Sequence, residues 1–158
     1  QLRTREEQCN RDDERSERGD DAVLHHAESE SAEYVANSAD DARALRQELA
    51  QAVENWRRDW VSLNTPNYLK HYSHAKFSSG SQNYQAWSEH KHRVNAGKTW
   101  LKVKMENVSM FFYPGAADLA VVTFDQDYNS SNLAGQSRKR QYWMKEPGGW
   151  KIVYEGIG

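Results

Sequence analysis

The chain has 158 residues, enough for one ordinary core and an additional segment, but only 37% are hydrophobic and the mean hydropathy is −1.01. Few but large groups, among them six Trp and eight Tyr, must therefore build that core. The net charge of −2 hides an acidic first part, with seven Arg, no Lys and fourteen acidic residues over 1–48, followed by a mildly basic remainder; the basic residues are scattered, which argues against a nucleic-acid partner, and no apolar run reaches membrane-spanning length. Cys9 is the only cysteine, so neither an internal disulfide nor a CxxC metal or redox motif can form.

Residues 1–37 contain one aromatic, Tyr34, among many Glu, Asp, Arg and Ser. They read as an acidic linker or helical arm, separable from a domain over 38–158. Ser38 can cap a helix, with Asp41 three residues on. Ala42, Leu45, Leu49, Val53, Trp56, Trp60 and Leu63 then recur at steps of three and four, a single apolar stripe over about six helical turns. Asn64 is expected to end this helix, Thr65 to cap the next and Pro66 to open it, with Tyr68, Leu69 and Tyr72 on its apolar side. Phe77 follows in a Ser-rich loop, SSGSQN. A third helix is expected from about Tyr84 to Asn95, with Trp87 and Val94 turned inward and Gly97 at its end.

The rest reads as β. In WLKVKMENVSMFFYP the apolar parity changes between Leu101, Val103, Met105 and Val108, Met110, Phe112. A β-bulge near Glu106–Asn107 would keep both sets on one face. LAVVTFDQDY, RKRQYWMK and WKIVYE complete a meander, joined by the loop SSNLAGQS and the turn EPGG. Helices followed by a long antiparallel sheet give an α+β domain, a bent sheet packed against a long helix as a cone whose open end is a natural pocket.

The inner face of that sheet is chemically mixed. It carries Phe124, Gln126 and Tyr128, then Lys139, Gln141 and Trp143, then Trp150, Ile152 and Glu155. Two readings of Gln126, Tyr128, Lys139 and Glu155 stand side by side: a buried Lys139–Glu155 pair that plugs the wide end, or a polar cluster that grips a ligand there. Both expect Lys139 and Glu155 to pair, because a buried charge needs a partner. Tyr72, Trp87 and Trp143 complete the candidate ligand-binding set, since one or two indoles can line a cleft while the others pack. No catalytic residue is predicted: Asp125 and Asp127 have the opposite parity and should face away, and Glu155 has no evident acid–base partner. No metal or cofactor is predicted either, because HYSH (His71, His74) and HKH (His90, His92) lack the spacing of a ligand set with a carboxylate.

W-x3-W in the first helix, YLKHYS, the Trp of the third helix, FxQxY, K-x-x-x-W and GGWKIVYE together resemble the nuclear transport factor 2-like superfamily. More narrowly they are similar to the C-terminal domain of some bacterial L,D-transpeptidase-type cell-wall proteins and related repeat-containing envelope proteins. The residues that carry the resemblance are Trp56, Trp60, Tyr68, Tyr72, Phe77, Trp87, Phe124, Gln126, Tyr128, Lys139, Trp143, Trp150 and Glu155. It implies a cone-shaped fold and a non-catalytic accessory role in the periplasm or cell envelope. The implied partner is a peptidoglycan fragment or an envelope protein, and a second copy could pair through the outer sheet face. Any export signal would then precede these residues. The nucleophilic Cys motif of the transpeptidase catalytic domain has no counterpart around Cys9. The alternative is a small cone-fold isomerase, dehydratase or hydrolase, which would need an unpaired ionisable group deep in the pocket.

Overall fold

The computed structural model describes residues 39–158, so the expected arm over 1–37 and the Ser38 cap lie outside the described residues. The chain divides into two compact units, Gln1–Ala44 and Leu45–Gly158; the sheet and every site residue belong to the second.

Residues 39–61 are helical (α1), and the stripe read from the sequence is the buried face: Leu49 is 0% exposed, Val53 4%, Trp56 1% and Trp60 7%. The helix closes with Leu63 in a left-handed conformation, φ 59°, where Gly or Asn would be less strained. α2 (Thr65–Leu69) begins at once, capped by the side chain of Asn64, which accepts from the N–H of Asn67. The cap is therefore one residue earlier than the expected Thr65. Tyr72 falls beyond α2, in a bridge to Ile152 that is fixed by Ser73 N–H to the Ile152 carbonyl (2.8 Å) and Ile152 N–H to the His71 carbonyl (2.7 Å). That bridge pins the Tyr72 ring over the sheet.

The SSGSQN stretch, read from the sequence as loop, forms two short strands, β1 (Ser78–Ser79) and β2 (Gln82–Asn83), around Gly80 at φ 58°. α3 (Tyr84–Ala96) starts from an Asn83 cap that accepts from Ala86 N–H, and Gly97 ends it as expected. Then come β3 (Leu101–Tyr113), β4 (Ala116–Ser130), β5 (Ala134–Glu146) and β6 (Gly149–Ile157). The sheet order is β2-β1-β6-β5-β4-β3. The four long strands form the expected antiparallel meander, but β1 lies parallel to β6, so the sheet is mixed.

The bulge is where the apolar phase slips, between Glu106 and Ser109. Leu101 and Val103 are buried before it, and Met105, Met110 and Phe112 pack against the core. Val108, expected to join them, is 45% exposed. Asn107 holds the bulge at φ 52°, its amide donating to Asp125 at 2.7 Å. A β-branched residue tolerates that conformation poorly, so Asn107→Val is expected to cost ~1–3 kcal/mol in urea unfolding, with Asn107→Gly losing less. Equal stability of the two variants would show that the left-handed conformation places no demand on the side chain at this position.

The core is aromatic. Trp56, Trp143, Tyr68, Tyr72 and Phe124 are all at 1% exposure or less. Trp56 and Phe124 lie 5.9 Å apart between α1 and β4, while Tyr72, Phe77 and Trp87 meet one another at 5.0–5.7 Å between the α2–β1 segment and α3. These tilted and edge-to-face pairings are the favoured ones for rings.

Candidate functional site

Glu155 is the chemical centre of the inner face. It is 5% exposed, and its Oε1 accepts from Tyr72 Oη at 3.0 Å and from Gln141 Nε2 at 2.7 Å. Tyr72 Oη in turn contacts Trp56 Nε1 at 3.0 Å and Tyr68 Oη at 2.8 Å. The proton directions follow from the groups. An indole only donates and a carboxylate only accepts, so Tyr72 gives its one proton to Glu155 and Tyr68 donates to Tyr72. The Gln141 amide is fixed likewise: its NH2 faces Glu155, and its oxygen accepts from Trp143 Nε1 at 3.1 Å. Burial pushes the Tyr68 and Tyr72 phenols well above the usual range, and the Glu155 charge pushes them further. Both remain protonated donors.

Lys139 is not the partner of Glu155. In register it stands opposite Phe124 and Ile157, whereas Gln141 stands opposite Glu155. The β5–β6 pairing shifts between Tyr142 and Trp143, so the last strand is advanced by one residue relative to a regular ladder. Face parity alone cannot show such a shift. Among the described residues Lys139 forms no ion pair, and a neutral amide satisfies the carboxylate instead.

The other predicted residues divide by burial. Tyr72 (1%) and Trp143 (0%) are interior members of the Glu155 network. Gln126 is 7% exposed, and its Oε1 has no hydrogen-bond partner. Trp87 (8%) has an unpartnered Nε1, as does Trp60 (7%). Tyr128 is half-buried and stacks on Trp60 at 5.3 Å. Asp125 faces away as expected, in an exposed pair with Arg138 at 2.9 Å. It also lines an open polar groove of about 410 Å³ with Glu106, Gln126, Asp127 and Gln136, none of which hydrogen-bonds to Glu155. His71 Nε2 meets Asp59 at 2.7 Å while His74 stacks on Tyr84, so the two histidines point to different partners.

Two lysines were not singled out in the sequence. Lys91 Nζ sits 4.6 Å from the centroid of the Trp87 ring and 5.7 Å from that of Trp60. Lys98 is 8% exposed; its Nζ donates to Asn132 Oδ1 (2.6 Å) and Ser130 Oγ (3.1 Å) and lies 5.3 Å from the Tyr128 centroid. A signal existed for Lys91: it follows Trp87 by four residues and so shares its helix face. For Lys98, just past Gly97, periodicity offered none.

Residues 48–156 match the family described as the Cds6 C-terminal NTF2-like domain. No curated protein matches the chain. Among solved structures, Bd1075 of Bdellovibrio bacteriovorus aligns over 72% of this chain and 40% of its own, with 26% identity and a TM-score of 0.64. The helical cell shape determining protein Pgp2 of Campylobacter jejuni, as its K307A mutant, aligns over 68% of this chain and 39% of its own, at 18% identity and a TM-score of 0.62. An NTF2-like protein of unknown function from Pseudomonas putida KT2440 aligns over 72% and 84%, at 16% identity and a TM-score of 0.61. The chain thus spans about two fifths of the length of the first two and most of the third. With the helices, the bent sheet and the inward aromatic face already in place, the match over residues 48–156 means that this chain belongs to the Cds6 C-terminal NTF2-like domain family.

Proposed function

We propose that residues 45–158 form a ligand-binding accessory domain of a bacterial cell-envelope protein, with a peptidoglycan fragment or an envelope protein as its partner. The observation that carries this reading is a pair of ammonium groups on an aromatic face: Lys91 Nζ lies 4.6 Å from the Trp87 centroid and 5.7 Å from that of Trp60, and Lys98 Nζ lies 5.3 Å from that of Tyr128. Among the described residues neither lysine pairs with a carboxylate, and ammonium groups beside aromatic rings suit a ligand that carries sugar rings, hydroxyls and acidic groups. Trp60, Trp87 and the half-buried Tyr128 add aromatic surface suited to sugar rings. The fold shared with Pgp2, named for determining helical cell shape, supports the envelope setting, and Bd1075 is similar over a like share of its own length. In both, the matched part is a minor share of a longer chain, which fits an accessory role.

Binding without turnover fits the Glu155 network. Its Oε1 is held by two donors, Tyr72 and Gln141, and among the described residues no second carboxylate or imidazole contacts it to serve as an acid–base partner. The check is a titration of peptidoglycan fragments followed by Trp fluorescence, in the wild type and in Lys139→Ala. A saturable change is expected in the wild type, with affinity lowered about tenfold in Lys139→Ala if its ammonium contacts the ligand. No response from either protein would reduce the cluster to a structural plug. Turnover of a fragment, abolished by Glu155→Gln, would make the domain an enzyme.

A further inference from the structure

We infer that the cavity beside the turn between β5 and β6 takes a free α-amino acid group, with its carboxylate on Lys70 and Lys151 and its ammonium on Glu146. This is a second site, beyond the binding reading above. The cavity measures about 390 Å³, within the range of small-molecule pockets, and is lined by Lys70, Tyr72, His74, Ala75, Glu146 and Lys151. Apart from Tyr72, none of these residues belongs to the Glu155 network. Two lysines and one glutamate thus line a single space. Among the described residues Glu146 nevertheless forms no ion pair with either lysine, and no other carboxylate pairs with them.

The charges stay apart because each is anchored to a neutral partner. Ser73, 1% exposed, donates its hydroxyl to Glu146 Oε1 at 2.6 Å. The same Oγ accepts from the Lys76 N–H at 3.2 Å, which leaves its own proton for the carboxylate. Lys151 Nζ donates to the Lys70 carbonyl at 2.7 Å. Both anchors stand on one frame. The Ser73 N–H bonds the Ile152 carbonyl at 2.8 Å and the Ile152 N–H bonds the His71 carbonyl at 2.7 Å, so the strand that carries Lys151 is tied to the segment that carries Ser73. β5, which carries Glu146, pairs with that same strand. His74 is held as well, its ring stacked on Tyr84 at 4.0 Å. Opposite charges that line one cavity but are fixed away from each other form a preorganised site for a ligand bearing both signs.

The lining selects among ligand classes. A simple anion would meet the lysines but lie beside the Glu146 carboxylate. A simple cation would meet Glu146 but lie beside two ammonium groups. A neutral sugar would leave all three charges without a counter-charge. An ammonium and a carboxylate on one carbon meet both signs at once, through charge-assisted hydrogen bonds. The donors and acceptors for this are free: Lys151 has two N–H groups beyond the one given to the Lys70 carbonyl, and the second oxygen of Glu146 has no partner among the described residues.

The test titrates the full chain, ¹⁵N-labelled, with alanine, N-acetylalanine and alaninamide, and reads the backbone N–H signals of Ser73 and Lys76. Alanine is expected to move both signals and to bind at least about tenfold more tightly than either blocked compound. Glu146→Gln, which keeps an acceptor for Ser73, should remove the preference over N-acetylalanine and keep that over alaninamide. The double variant Lys70→Met, Lys151→Met should do the reverse. Loss of the fold cannot produce such a crossed pattern. N-acetylalanine binding as tightly as alanine would make the cavity an anion site, and alaninamide doing so would make it a cation site; either result would overturn the inference. Signals that no probe moves, or equal losses for all three probes in both variants, would overturn it too. The reading of the inner face has its own titration and stands or falls separately.

Discussion

Trp60→Ala is expected to lower the unfolding free energy by ~3–5 kcal/mol, the usual penalty for truncating a buried aromatic side chain. Trp60 is 7% exposed and sits among three rings: Trp56 at 5.3 Å, Tyr68 at 5.6 Å and Tyr128 at 5.3 Å. Removing the indole would open a cavity exactly where α1 meets the sheet, and three rigid neighbours cannot all move to fill it. In a chain of this size the loss corresponds to roughly 10 °C in melting temperature. Trp60→Phe separates packing from hydrogen bonding. The indole N–H has no partner to lose, so that variant should cost no more than ~1.5 kcal/mol. A Trp60→Ala loss under ~1 kcal/mol in calorimetry would mean that the first helix does not close the core.

Glu155→Ala should be comparably damaging, ~3 kcal/mol or more, for a different reason. The truncation leaves Tyr72 Oη and Gln141 Nε2 as buried donors with no acceptor, and the disturbance reaches Trp56, Tyr68 and Trp143 through them. Glu155→Gln keeps an acceptor oxygen but adds an NH2 group to a site supplied with donors, so ~1–2 kcal/mol is expected. A double-mutant cycle of Glu155→Ala with Tyr72→Phe, measured by urea unfolding, gives the sharper readout. Members of one network couple, so the double variant should lose less than the sum of the single losses. Strict additivity would show that the 3.0 Å contact contributes nothing to stability.

What the sequence revealed, and what it concealed, follows from the range over which each signal acts. The stripe from Leu49 to Trp60 and the parity slip at Glu106–Asn107 are local patterns of one element, and both reappear as buried faces and a bulge. The inward residues Phe124, Gln126, Gln141 and Trp143 were equally legible, because strand parity is a property of each strand alone, whereas Ile152 and Glu155 share a face only through the irregularity in β6. Pairing is not such a property. Whether Lys139 or Gln141 faces Glu155 depends on how two strands are offset, and the irregularity at Tyr142–Trp143 leaves no compositional mark. β1 and β2 are too short and too polar to alternate, so their pairing with each other and with β6 is a tertiary event. Lys91 was passed over because a cation in an His-rich segment reads as surface, although its step of four from Trp87 places it inward.

The two borders of the sheet bear on how this domain behaves when crowded. An unpaired strand border is an open template for another chain to extend into cross-strand stacks. On one side the border strand β2 is only two residues long, too short to nucleate such growth. On the other, β3 exposes thirteen residues, but the bulge interrupts its ladder and the solvated charges of Lys104 and Glu106 flank the break. Both borders thus discourage strand-by-strand polymerisation. Such resistance matters at high local concentration, where it disfavours backbone addition at either border.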